Sequence, residues 1–309
     1  MRNILIGASL VALAACGQNE APEAAPAPVE EAVEEVVEEV AEASLVGDLD
    51  AVLASDIRGE NDAARDQYRN PKETLAFFGV EPGMTVVETL PGGGWYSKIL
   101  LPYLGPEGSL IGANYAVDMW RLFGGRFSNE EAMARHEAWS GTWPTEAATW
   151  AGDKGAGVSA FNFGAVPEDV KGTVDVILFV RSLHHMNRFE EEGGWLTSGL
   201  QDTMAILKPG GIVGVVQHRG PEGNDDVWAE GDNGYMKQSQ VIAAFEAAGF
   251  ELVEASEINA NAADVPTNDD IVWRLPPSLG TSGDDEEKAA AFKAIGESDR
   301  MTLKFRKPA

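Results

Sequence analysis

Beyond residue 50 the chain alternates between two hydrophobic periods. Residues 85–88, 109–115, 158–163, 174–180, 212–217, 250–258 and 301–306 read as strands, while 71–78, 96–104, 200–207 and 239–248 carry helical spacing. The run VDVILFV at 174–180 is almost continuously apolar, as expected of a strand covered on both faces. Strands alternating with helices in this way predict an α/β domain built on a mainly parallel sheet. Local punctuation agrees. Asn70 is a candidate N-cap with Pro71 at the first helical position and Glu73 in the first turn, and Gly79 sits where a helix would close. Lys208-Pro209-Gly210-Gly211 and Gly249 are the corresponding stops further on. No internal repeat is visible.

The N-terminus follows a different pattern. MRNILIGASLVALAAC has one basic residue, a short apolar stretch and small residues directly before Cys16, the chain's only cysteine. The stretch is too short to cross a bilayer as a helix, and the segment resembles a bacterial lipobox. That resemblance implies cleavage before Cys16, lipid on Cys16 and, with Gly17 following, an anchor on the periplasmic face of the outer membrane. Residues 17–50 hold eleven acidic and no basic side chains among Ala, Pro and Val, a composition that cannot bury enough apolar area to order itself. The expected organisation is a signal peptide at 1–15, an acidic tether at 16–50 and one domain at 51–309. Residues 30–45 also allow an amphipathic helix.

Composition narrows the chemistry. The net charge is −27, of which the tether supplies −11, so nucleic acid and anionic membrane surfaces are poor partners; membrane contact would run through the N-terminal lipid alone. With its one thiol acylated, the mature chain has no disulfide, Cys-ligated zinc or catalytic thiol.

The most informative local pattern is MTVVETLPGGGWYSKIL, beginning at Met84: an apolar strand ending at Glu88, a turn through Gly92-Gly93-Gly94, then a helix. Glycines here let the backbone turn sharply and lie close to a ligand, though a tight strand-to-helix turn alone would use them too. Taken with VDVILFVRSLHHM, ILKPGGIVGVVQHR and a late terminal strand, it resembles the class I S-adenosylmethionine (SAM)-dependent methyltransferases over roughly residues 56–307. RGENDAARDQYRNPKETL and SDRMTLKFRKP further resemble a group of exported bacterial predicted methyltransferases. The resemblance implies a Rossmann-like seven-stranded sheet of order 3-2-1-4-5-7-6 with an antiparallel last strand, and SAM as cofactor. It places Glu88, Gly92 and Gly94 at the cofactor, with Leu90 where another glycine is usual. Asn114 and Asn162 stand where the family commonly has carboxylates facing the ribose and adenine.

Ligands in open α/β sheets lie outside the carboxyl ends of the strands, which brings Arg181, His184 and His185 after the fourth strand beside His218 and Arg219 after the fifth. His184 and His218 are candidate proton acceptors, since histidine titrates near neutrality, and Arg181, Arg219 and Arg65 are candidates for a small-molecule substrate. The bland alternative is a histidine bonded to nearby backbone. A metal site from His184, His185 and His218 lacks supporting carboxylate spacing. Arg58, Asn61, Arg65, Asp66, Tyr68 and Arg69 form either the mouth of the site or a solvated helix face. Trp120, Trp139, Trp143 and Trp150 suit core packing better than substrate stacking. The polar insert 259–298 is too long for a hairpin and suits a lid. Two functions fit: methyl transfer to a small molecule, or a binding or scaffold lipoprotein on the same fold. Oligomeric state leaves no trace in the sequence.

Overall fold

The computed structural model describes residues 45–151 and 154–309. Cys16, the signal segment and most of the tether lie outside them. Eight strands form one sheet: β1 (Thr85–Thr89), β2 (Ser109–Asn114), β3 (Gly157–Asn162), β4 (Val174–Val180), β5 (Leu207–Gly220), the two-residue β6 (Met236–Lys237), β7 (Glu251–Ser256) and β8 (Arg300–Arg306). Their order is β3-β2-β1-β4-β5-β8-β7, with β6 paired to β5 off this path. The first five run parallel, and β8 is antiparallel to both β5 and β7. Setting the short β6 aside, this is the order 3-2-1-4-5-7-6, a mixed, mostly parallel Rossmann-like sheet.

Alternation along each strand feeds two cores. Val87, Ile111, Ile177, Phe179 and Val215 face one layer, packed by helices Trp195–Ile206 and Gln238–Ala247. Val86, Leu110, Val176, Leu178 and Val216 face the other, packed by Pro71–Phe78, Ser97–Leu104 and Glu130–Ala148. Both faces of the central strands are therefore dry, which explains why they read as continuous apolar runs.

Three expectations change. Residues 45–50 belong to the ordered domain, not to the tether: Asp48 caps helix Leu49–Ala54, Val52 is fully buried, and the Gly47 amide donates to the Tyr103 carbonyl. Acidic composition hid this short apolar stripe. Asn70 makes no side-chain cap; it adopts φ 41° and its Nδ2 donates to the Ile258 carbonyl. The helix does stop before Lys208-Pro209-Gly210-Gly211, but these residues already belong to the 14-residue β5, which starts at Leu207 and not at Ile212.

Candidate active site

β1 ends in a buried carboxyl. Glu88 is 4% exposed and accepts a 2.5 Å bond from Ser97 Oγ, in the first turn of the helix that follows the glycines. Burial pushes its pKa up to about 8, against the smaller opposing effect of the Ser97 bond, so the group is protonated at neutral pH. The turn keeps its left-handed backbone where glycine is missing: Leu90 holds φ 51°, next to Gly92 at 56°. Leu90 therefore preserves the turn instead of reshaping it. Around Gly92 and Gly93 the space is open; an added Cβ would meet only the Leu90 carbonyl oxygen, 3.9 Å from Gly92. Gly94 differs. A Cβ there would come within 2.3 Å of the Trp150 ring, so its glycine gives clearance to packing and not to a cofactor.

Asn114 and Asn162 are register partners at the ends of β2 and β3. Asn114 Oδ1 accepts from the Tyr115 amide at 2.8 Å, which occupies one of the two lone pairs a ribose hydroxyl would use. Asn162 Nδ2 donates to the His136 carbonyl, and its Oδ1 is buried with no partner among the described residues. Asn162 lines a cavity of about 530 Å³ with Ala116, Asp118, Phe163 and Trp195. An orphaned acceptor beside open space fits a donor such as an exocyclic amine.

The ends of β4 and β5 meet as expected, but their side chains divide. His218 is 9% exposed, its Nδ1 lies 2.5 Å from Ser298 Oγ, and no bond to Nε2 is formed among the described residues. It lines a cavity of about 140 Å³ together with Arg181, Glu297 and Ser298. His184 does not open into that cavity. The chain turns directly into helix Leu183–Arg188, leaving His184 3% exposed, with Nδ1 3.3 Å from Gln217 Nε2 and the Gly231 backbone laid against its carbonyl. With no face on that cavity and Nδ1 engaged by Gln217, it is left out of the acceptor set. Burial, and then their neighbours, His185 for His184 and His184 for His218, hold both imidazoles well below the ordinary range. They are neutral near pH 7 and do not titrate there, contrary to expectation.

Arg219 is also corrected. Its guanidinium is paired with Asp299 through Nε and Nη2 and with Glu257 through Nη1 and Nη2, with Gln238 beyond, so no donor is left for a substrate anion. Arg65 bonds Glu297 Oε1 at 2.8 Å and thereby joins the cluster next to Arg181. Arg69 and Arg300 complete it at 3.1 and 3.2 Å from Glu297 Oε2. Burial pushes the Glu297 carboxyl up, but Arg69, Arg300 and Arg65 outweigh it and hold the group below its usual range. Arg58 pairs with Asp66 inside the expected cluster and does not reach Glu297.

Sequence reasoning missed Glu297, Ser298 and Arg300 as site residues. The signal was the antiparallel last strand, whose start sets Arg300 opposite His218. Trp139 and Trp143 pack over Gly112, and Trp120 stacks on His136 at 4.0 Å, as core and surface packing. Of the insert, residues 272–278 roof the His218 cavity.

No family model and no curated protein matches the chain. Among solved structures it is similar to the [4+2]-cyclase SpnF (16% identity, TM-score 0.45, covering 82% of this chain and 84% of that one). It is also similar to a SAM-dependent methyltransferase from Aquifex aeolicus (20%, 0.44, 66% and 91%). A third is Burkholderia thailandensis 1,6-didemethyltoxoflavin-N1-methyltransferase with bound 1,6-didemethyltoxoflavin and S-adenosylhomocysteine (13%, 0.43, 94% and 93%). The fold is a mixed, mostly parallel Rossmann-like sheet. It is read from the strand order itself, since these likenesses are distant.

Proposed function

We propose that the chain transfers a methyl group from SAM to a small-molecule acceptor, as a lipoprotein held by Cys16 on the periplasmic face of the outer membrane. The observation that carries the transfer reading is the convergence of Glu88, Gly92, Asn114 and Asn162 at the ends of β1, β2 and β3 beside Arg181 and His218 at the ends of β4 and β5. The open glycine backbone and the orphaned Asn162 Oδ1 suit a nucleoside, and the protonated Glu88 offers a donor as well as an acceptor. Gly94 is left out of the cofactor set, and His184 and Arg219 out of the acceptor set.

When bound, SAM supplies an electrophilic methyl on a sulfonium, and transfer is an in-line displacement. The chain's own part is alignment and removal of the acceptor's proton. His218 is neutral at pH 7, and in the tautomer whose Nδ1–H donates to Ser298 its Nε2 lone pair is free to take that proton, against the burial that disfavours the imidazolium. Arg181 sits in the same cavity as a counter-charge for the acceptor.

Calorimetry of the purified full chain with SAM and S-adenosylhomocysteine tests this reading. Saturable heat is expected from both ligands. Glu88→Ala should weaken binding by about tenfold or more, the range of a lost buried polar contact, while His218→Ala binds normally and transfers slowly. Equal loss of binding in the two variants would break the division of roles. Absence of heat at millimolar ligand would leave the same fold serving as a binding lipoprotein.

A further inference from the structure

The cavity under residues 272–278 has a floor and a roof of opposite character. Its floor is Arg181, His218, Glu297 and Ser298; its roof includes Trp273, Leu275 and Pro277. Glu297 is already satisfied by Arg65, Arg69 and Arg300, so its charge is spent inside the cluster. Arg181 receives no carboxylate. Its Nε is buried without a partner, as are Nη2 of Arg65 and Nη2 of Arg69 behind it. Three guanidinium groups thus contact one carboxylate, and the fourth cation, Arg181, which faces the cavity, has no ion-pair partner among the described residues. Uncompensated buried charge is expensive, and so is the backbone that presents it, since Arg181 holds φ 56°. Both persist more readily where an anion completes the site.

Size and lining restrict the anion. About 140 Å³ is far too small for a nucleoside. Water's share of liquid volume is about 30 Å³, so the space equals roughly five waters, the size of a short-chain acid. A tetrahedral inorganic ion would leave the indole and leucine of the roof against charge, whereas a short organic acid sets its carboxylate on the floor and its hydrocarbon part under the roof. We propose that this chamber binds the carboxylate of a short-chain organic acid on Arg181, with Trp273 and Leu275 covering its carbon chain. This names the acceptor class for the methyl transfer proposed above, a short acid whose own hydroxyl or amine would receive the methyl and give its proton to His218; it rests on that reading for its catalytic meaning but not for binding.

The test is calorimetry and thermal shift on the full chain without SAM, at constant ionic strength, using acetate and butyrate, their neutral amides, and sulfate. Saturable binding of butyrate tighter than acetate is expected, with no binding of butyramide. Arg181→Gln should weaken butyrate by about tenfold or more, as loss of a charge-assisted pair does, and Arg181→Lys by less. Should the Arg181 variants not fold, Trp273→Ala carries the test: it should weaken butyrate more than acetate. Unchanged butyrate binding in Arg181→Gln, equal effects of Trp273→Ala on both acids, or binding of sulfate but of neither acid would overturn the proposal. A SAM titration run in parallel separates the two readings. Butyrate binding without SAM binding leaves the chamber standing and removes the enzyme; SAM binding without butyrate binding does the reverse.

Discussion

Glu88 shows how one buried side chain sets a measurable pH dependence. Its ordinary pKa of 4.5 rises to about 8 in the fold because burial penalises the carboxylate. Below 4.5 both folded and unfolded chains carry the proton. Between 4.5 and 8 the unfolded chain releases it and the native chain keeps it, so stability falls as pH rises, by about 1.4 kcal/mol per pH unit. Above 8 both are ionised and the loss levels off. Glu88→Gln keeps the shape and removes the titration, so it is expected to be more stable than the parent by about 3 kcal/mol near pH 7. That advantage should vanish toward pH 4.5. Paired unfolding curves across this range check it, and a pH-independent difference would show that the carboxyl is ionised in the fold. The position of Glu88 was legible, since an acidic residue closing an apolar strand before glycines has few other uses. Its protonation was not, because it depends on the helix of Ser97 folding back over it.

The insert shows the same limit one level up. Its polarity suggests a mobile cover, yet it is fastened by a buried anchor. Asp264 has no exposed side chain and accepts from Arg274 at 2.8 Å, from Tyr235 at 3.0 Å and from the Asp299 amide at 2.9 Å. These bonds tie residues 264–274 to the segment leading into β8, and so hold the roof over His218. Removing one partner of a buried pair strands the other, at a cost of about 3–5 kcal/mol. Asp264→Ala should therefore raise amide exchange across 264–278 well before the sheet opens, and hydrogen exchange read by mass spectrometry checks it. Exchange that rises uniformly, or not at all, would mean the roof is held by its apolar contacts. Asp264-Val265-Pro266-Thr267 reads as loop in sequence because its partners lie far along the chain. The seven main strands were legible because they depend on local period, but helix Glu130–Ala148 and the first residues of β5 were not read; Glu297, Ser298 and Arg300 were not legible because only pairing of β8 with β5 brings them to His218.

For the whole molecule the decisive boundary lies where the acidic leader meets the fold. Composition places it at residue 50, but the second core begins earlier: Leu45 and Leu49 pack on it, Val52 is fully buried, and Val46 lies against Gly105, where a Cβ would meet it at 2.6 Å. Eleven carboxylates in the leader masked four apolar residues spaced to cover one face. Net charge pulls the other way. The leader adds like charge to an already acidic domain, so shortening it removes self-repulsion while removing Leu45 to Ala54 opens the core. A chain beginning at Leu45 is accordingly expected to unfold at or slightly above the temperature of the full chain. One beginning at Ser55 uncovers the core packed by Val52 and its neighbours, at about 3 kcal/mol or more, because burying each such side chain is worth about 1.5–3 kcal/mol. Thermal unfolding of the three chains in the same buffer decides it. Equal midpoints for the Leu45 and Ser55 chains would show that the first helix rests on the domain without stabilising it, and the boundary would return to residue 50.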